Sequence, residues 1–383
     1  MAQADWQAGG FGVYIHWPFC EAKCPYCDFN SHVSNAIDHT AWRKRLEADI
    51  RFQAYRLGSR SVKSIFFGGG TPSLMEPKTV AACIDTVADV FHLEPNAEIT
   101  LEANPTSVEA KKFREFASAG VNRVSIGVQA LNDTDLKRLG RLHSVSEATQ
   151  AIDLARNHFD RMSFDLIYAR QNQTATQWAD ELSLAISLSA DHLSLYQLTI
   201  EAGTAFGRLH QEGKLRGLPS DALSADLYEL TQETCSNAGL RGYEVSNHAR
   251  PGYESRHNLI YWRYGDYLGV GPGAHGRLTV GGQRIATEAT LMPSDWLNAA
   301  SESATKDIET LSDEDQLTEF MLMGLRLSEG VDLKRAENFG ASLPQNKITE
   351  LIDSGHLIMR DKQISVPQIK KIVLNHILRD LLS

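Results

Sequence analysis

A chain of 383 residues is too long for one ordinary core and long enough for a large domain with a small one beside it. With 42% hydrophobic and 22% charged residues it falls among soluble globular proteins, and its longest apolar runs are strand-length, short of the roughly 20 residues a membrane-spanning helix needs. The formal net charge of -10, from 38 Lys plus Arg against 48 Asp plus Glu, argues against a protein held on nucleic acid by counterion release.

The first residues, MAQADWQAGGFG, show neither a basic stretch nor an apolar one, so a cytoplasmic location is expected. From residue 12 to 200, β-rich runs alternate with amphipathic helical ones. The predicted strands are Gly12–Pro18, Val62–Phe67, Glu98–Ala103, Arg123–Val128, Met162–Ile167 and His192–Leu198; helical segments between them include Lys78–Phe91, Val108–Ala119, Glu147–Asn157 and Gln177–Ser187. Such alternation implies βαβ units and a parallel sheet, here a curved, incomplete (βα)6 barrel of TIM-like type.

Chemistry in such barrels gathers where strands end, and polar or glycine-rich groups recur there in phase. Cys20, Cys24 and Cys27 follow the first strand and Gly68–Pro72 (GGGTP) the second. Glu102 and Asn104 end the third, Gln129 the fourth; Asp165 and Tyr168 lie near the end of the fifth, Gln197 and Thr199 at the sixth. Beyond residue 200 a helix over Ser220–Ala238 leads to a strand at Tyr243–Ser246 and an aromatic, glycine-rich passage, His257–Gly276. Ser301–Thr310 reads as a polar linker. The remaining helical patterns and the alternation of Leu357–Val366 predict a small winged-helix-like module. Its ten Lys or Arg against thirteen Asp or Glu, counted over Thr305–Ser383, make it a packing or interaction module and not a DNA reader. The expected divisions are 1–240 for the barrel, 241–300 for an extension and 301–383 for the module.

Five cysteines, three of them in C-x3-C-x2-C spacing, point to metal or redox chemistry in a reducing compartment. Thiolates suit zinc or iron–sulfur centres. Zinc normally takes four protein ligands and would have to recruit His16, His32 or a distant residue. A cubane on three cysteines leaves one iron open to a small chelator. The GGGTP loop offers backbone amides at close approach, with Thr71 as a further polar contact; Glu102 and Gln129 suit hydroxyls and polar edges, while Asp165 and Arg141 supply opposite charges.

C-x3-C-x2-C on the first βα loop of a partial barrel resembles the radical S-adenosylmethionine (SAM) superfamily. The order YIHWPFC, GGGTP, EANP, SIGVQ and DLIY resembles its coproporphyrinogen dehydrogenase (HemN) group. The resemblance implies a [4Fe-4S] cluster on Cys20, Cys24 and Cys27 whose open iron binds SAM. It implies a cofactor shell of Tyr14, Gly69, Gly70, Thr71, Glu102, Gln129, Arg141 and Asp165, with the Tyr26 backbone beside the cluster. Dehydrogenases of the group carry a longer N-terminal extension and a cysteine where this chain has Phe29. Both departures resemble the heme-chaperone (HemW) branch, as does HNLIYW, His257–Trp262, whose His257 is the implied heme ligand, with His275 and Cys235 as alternatives.

The resemblance thus implies heme as cargo, delivery to heme-dependent clients, respiratory ones among them, peripheral contact with the inner membrane, and a homodimer. The rival expectations are oxidative decarboxylation of coproporphyrinogen III and a winged-helix regulator with a sensing cluster. One local departure stands out: DLIYARQNQT replaces the group's DLIYGLP-x-Q-T, and Arg170 there reads as an exposed loop arginine, with contact to a propionate or the cofactor carboxylate as the other reading.

Overall fold

The computed structural model describes residues 5–34, 36–188, 191–300, 304–340 and 343–382. In chain order the strands are β1 (Phe11–Trp17), β2 (Phe19–Cys20), β3 (His32–Val33), β4 (Ser61–Gly69), β5 (His92–Ala103), β6 (Arg123–Gln129), β7 (Arg161–Tyr168), β8 (His192–Gln197), β9 (Arg241–Gly242), β10 (Asn247–Ala249), β11 (Asp266–Val270), β12 (His275–Val280), β13 (Gln283–Ala289), β14 (Thr305–Thr310), β15 (Val331–Asp332), β16 (Ile358–Arg360) and β17 (Gln363–Ser365). Six parallel strands, β1 and β4 through β8, lie side by side in sequence order, the expected (βα)6 partial barrel. Parallel neighbours need a crossover, and helices such as His39–Leu57, Pro77–Val90, Val145–His158 and Ala175–Leu188 supply it.

These helices start where the sequence provides caps. Asp38 accepts from the Thr40 and Ala41 amides at 3.1 and 3.0 Å, and Ser144 with Glu147 forms a reciprocal capping box ahead of Val145–His158. Alternation within β1 sends Val13, Ile15 and Trp17 into the core beneath the helices, and Tyr14 and His16 to the opposite, inner face of the barrel.

The sheet does not stop at six strands. β11 joins β1 in parallel and carries the antiparallel run β12, β13 and β14; on the far side β10 and β9 extend β8. Two expectations change here. Tyr243–Ser246 is not a strand but the turn between β9 and β10. There the Glu244 carboxylate accepts from the amides of Ser246 and Asn247, and Tyr243 Oη bonds His192 Nε2 at 3.0 Å. Thr305–Thr310 is not a linker but the edge strand β14: a backbone ladder to β13 needs no apolar side chain, and Arg56 ties Asp307 back at 2.6 Å. Residues 301–303 of the expected linker lie outside the described residues.

An open barrel leaves an interior to be filled, and here the filling is polar. Glu98 binds Arg161 at 2.6 Å and lies 3.9 Å from Arg123, which donates to Thr100 and Ser163. The helix Arg256–Trp262 closes this interior, its Ser255 cap and His257 amide both donating to Glu98.

A second apolar core, from Leu317 to Leu381 and including Tyr264, underlies the C-terminal module. There the helices Asp313–Gly324, Gln345–Asp353 and Leu374–Leu382 pack with a three-stranded sheet in the order β15-β17-β16, and the β16–β17 hairpin is the expected wing. Among the described residues no helix is long and apolar enough to cross a membrane.

Candidate functional site

The cysteine loop leaves the top of β1 and is pinned at both ends. β2 pairs with β3, Phe19 opposite His32 and Cys20 opposite Val33, and the Cys27 amide donates to the Cys24 carbonyl at 3.1 Å. The glycine loop after β4 lies directly against it. A Cβ on Gly69, whose φ is 113°, would meet the His16 ring at 2.5 Å; one on Gly70 would meet the Phe19 backbone at 2.7 Å. Contrary to the sequence expectation, the amides of this loop are already engaged: Gly69 donates to Glu102 at 3.2 Å, Gly70 to the Trp17 carbonyl at 2.7 Å and Thr71 to the Phe19 carbonyl at 2.8 Å. The glycines allow this close packing and still line the thiol cavity.

Each thiol faces a hydrogen-bond donor. Thr71 donates to Cys20 Sγ at 3.4 Å, Arg141 to Cys24 Sγ at 3.3 Å, and Ser31 Oγ stands 3.9 Å from Cys27 Sγ. Burial pushes the Cys20 and Cys27 thiols up, the Thr71 hydroxyl and the Phe29 amide partly offsetting it. Arg141 is held by Asn104 Oδ1 at 2.6 Å and the Gly127 carbonyl at 2.9 Å.

The thiols, Tyr26, Gly69, Gly70, Thr71, Glu102, Gln129, Arg141 and Asp165 line one cavity of about 140 Å³. Burial, then the neighbouring Asp165, pushes Glu102 up to about 8; burial pushes Asp165 up to about 6, against the pull of the Ser194 hydroxyl and Arg123. Gln129 holds a left-handed backbone, φ 72°, where β6 ends.

A second cavity, of about 520 Å³, shares Phe29, Gly69 and Glu102 with the first. Its other walls are largely aromatic and apolar, from Tyr14, Tyr261, Trp262, Tyr267, Leu291 and Met323, with His16 and His275 also on the lining. Tyr261 and Tyr267 meet edge to face at 4.4 Å. His16 bonds Tyr14 Oη through Nδ1 and the Asn30 carbonyl through Nε2, both at 2.9 Å. Asn30 in turn donates to the carbonyls of Pro272 and Leu291 at 3.0 and 2.9 Å, joining the cysteine loop to the far wall.

Residues 14–185 match the Radical SAM superfamily and residues 311–368 the HemN C-terminal domain. A Bos taurus relative, Radical S-adenosyl methionine domain-containing protein 1, mitochondrial, is 39% identical over 97% of this chain and 87% of its own. The chain belongs to the radical SAM superfamily. The Escherichia coli (strain K12) relative named Heme chaperone HemW is 37% identical over 96% of each chain. The solved structure of Escherichia coli coproporphyrinogen III oxidase (HemN), a radical SAM enzyme, matches 99% of this chain and 92% of its own with a TM-score of 0.80 at 21% identity, a likeness of fold.

Membership in the radical SAM superfamily implies a [4Fe-4S] cluster and SAM, and two observations test whether these residues fit them. The three thiols line one cavity, each with its own donor, while among the described residues no three His, Cys, Asp or Glu side chains converge on a point for a single ion. That arrangement suits a polynuclear cluster better than a mononuclear site. Beside them Asp165 Oδ1 is buried without a hydrogen-bond partner, leaving an acceptor for a polar ligand. The residues fit.

Not every expected residue is in this radical SAM pocket. Tyr14 lines the second cavity and not the first. His257 lines neither: it is 1% exposed, stacks on Phe66 at 4.9 Å, and has both nitrogens engaged, Nδ1 with Ser64 at 2.7 Å and Nε2 with Tyr261 Oη at 2.6 Å. Burial holds it neutral, its pKa lowered to about 3. His257 thus lies one helical turn below Tyr261, inside the barrel, with both ring nitrogens hydrogen-bonded in this structure. Cys235 is fully buried in the main core.

Arg170 also departs from expectation. It is 3% exposed and pairs with Asp135 and Glu181, so it neither lies open nor reaches the cofactor pocket.

Ser31, Asn104 and Ser125 are site residues the sequence did not single out as cofactor contacts. Ser125 had a signal: Ser125, Gly127 and Gln129 alternate along β6 and share its inner face, so fixing Gln129 in the pocket fixes the other two. Ser31, four residues past Cys27, had none.

Proposed function

We propose that this radical SAM protein is a heme chaperone, holding a [4Fe-4S] cluster on Cys20, Cys24 and Cys27 with SAM beside it and delivering heme to heme-dependent clients, respiratory ones among them. The observation that carries the reading is the aromatic, apolar cavity that shares a wall with the thiol pocket. A macrocycle needs large flat apolar faces, and Tyr261, Trp262, Tyr267, Leu291 and Met323 offer them next to the cluster loop. The name of the Escherichia coli relative and Phe29, in place of a further cysteine, support the same choice.

In this reading Glu102, Gln129 and Asp165 hold the polar parts of SAM. Thr71, Arg141 and Ser31 stabilise thiolate charge and so set how readily the cluster is reduced. When bound, the cluster and SAM together supply one-electron chemistry. Tyr26 and Arg141 line the pocket beside Cys24, Arg141 donating to its sulfur.

The deciding experiment compares two activities of anaerobically reconstituted protein. Hemin is titrated into it and followed at the Soret band; in parallel, coproporphyrinogen III is incubated with it, SAM and a low-potential reductant. Saturable hemin uptake at one per chain, without protoporphyrinogen over repeated turnovers, is the expected outcome. Repeated turnover to product would make it a dehydrogenase, and absence of hemin uptake would end the chaperone reading.

A further inference from the structure

We infer that the seam between the barrel and the C-terminal module holds an anion site, built on Arg326 and Lys371, that takes a phosphoryl group. The inference does not depend on the heme-chaperone reading.

A cavity of about 190 Å³ lies at this seam and shares no lining residue with the thiol pocket or the aromatic cavity. From the barrel side Tyr168 ends β7, Gln197 ends β8 and Ser246 precedes β10. From the module side Arg326 follows the helix Asp313–Gly324, Lys371 sits in the short helical segment Gln368–Val373, and Asn375 in the helix Leu374–Leu382. Tyr228, also on the lining, ties the two sides together by donating its hydroxyl to the Gln368 carbonyl at 3.0 Å.

The lining carries two cations and no carboxylate. Lys371 is only 2% exposed; its Nζ donates to the Arg326 carbonyl at 2.6 Å and the Ser328 hydroxyl at 3.4 Å, both uncharged partners. An ammonium taken out of water needs a counter-charge. Glu244 is the carboxylate that acts on it, but one of its oxygens is engaged by the amides of Ser246 and Asn247. Burial outweighs its pull and lowers the Lys371 pKa to about 7. An anion in the cavity would offset that loss of hydration.

Arg326 is half-buried and lies over the Trp262 ring at 5.5 Å, and among the described residues its guanidinium makes no hydrogen bond or ion pair. The side chains of Tyr168, Gln197, Ser246 and Asn375 likewise make no hydrogen bond among the described residues, which leaves uncharged donors on both sides of the seam. Two cations with this many donors exceed what the two oxygens of a carboxylate accept. They match a dianion with three terminal oxygens, which the fork of an arginine grips in pairs.

The test is isothermal titration of full-length, cluster-reconstituted protein with inorganic phosphate at constant ionic strength. Glycerol 1-phosphate is titrated in parallel, with acetate as the carboxylate control. Wild type should take up one phosphate per chain saturably and acetate more weakly, and phosphate should raise its urea midpoint. Tighter binding of the ester would identify a small phosphorylated molecule as the occupant; equal binding would identify free phosphate. Arg326→Gln and Lys371→Met should each bind phosphate at least about tenfold more weakly, with iron and sulfide content unchanged.

Should Lys371→Met not fold, Arg326→Gln decides, since that guanidinium has no hydrogen bond to lose. Absence of saturable uptake in wild type, or uptake unchanged in Arg326→Gln, would overturn the site. Acetate binding as tightly as phosphate would overturn the phosphoryl assignment.

Discussion

Asp49 sits on the barrel-facing side of the helix His39–Leu57 with 0% of its surface exposed. Burial pushes its carboxyl up to about 6, and neither Arg45 nor the Gly271 amide offsets this fully. Because its folded pKa lies above the unfolded one, the folded state binds the extra proton. The resulting stabilisation is fully present below about pH 4 and is lost as pH rises through about 6, a change on the order of 2–3 kcal/mol. Asp49→Asn should remove this part of the pH dependence, so that urea midpoints of the two proteins diverge between pH 4.5 and 7.5; parallel midpoints across that range would refute it. Single side chains are also where the sequence was least readable. His257 and His275 are one residue type in one aromatic passage, and what separates them is the partner at each ring nitrogen, set by Ser64 and Tyr261 for the first. Arg170 likewise looked like a loop arginine because its partners Asp135 and Glu181 lie on other elements.

The junction of strands depends on one carboxylate. Asp266, at the start of β11, pairs with Arg60 at 3.2 Å and Arg284 at 3.0 Å and accepts from the Thr279 amide and hydroxyl at 2.6 and 3.0 Å. It thereby fastens the approach to β4 to β12 and β13. Asp266→Asn would leave two buried guanidinium groups without their counter-charge, at a cost of about 3–5 kcal/mol, read as a lower urea midpoint. A loss under 1 kcal/mol would mean that both arginines find other partners. At this scale the sequence was largely legible, since the six βα units follow from the change between period 2 and period 3.6. The errors share a cause: in Tyr243–Ser246 a carboxylate engaging backbone amides overrode β propensity, and in Thr305–Thr310 edge pairing formed a strand from polar residues. The second cavity was illegible as such, because its walls run from Tyr14 to Met323 and no local pattern connects them.

Across the whole molecule, the two cores are joined at Tyr264. It follows the helix of the HNLIYW stretch yet packs in the C-terminal core against Phe320 and Phe339 at 6.0 and 5.7 Å, with the Arg284 guanidinium 3.7 Å above its ring. Arg335 adds an ion pair to Asp5 at 2.6 Å, and Gln368 bonds Gln232 at 3.0 Å. All six tryptophans precede residue 311, so their fluorescence follows the barrel side while far-ultraviolet dichroism follows both. In wild type the two signals should fall together in urea. Tyr264→Ala, losing about 3–5 kcal/mol of packing, should separate them, dichroism falling first. Coincident curves at an unchanged midpoint would mean that Tyr264 does not couple the cores.

The wall shared by the two cavities has a consequence of a different kind. Glu102, pushed up to about 8 by burial and the neighbouring Asp165, borders both, so near neutrality it is mostly protonated. A ligand that shifts its protonation from one cavity alters affinity in the other, and by linkage the factor is the same in both directions. The proton is then a third ligand common to both cavities, and a shift in pH that changes its occupancy on Glu102 bears on both.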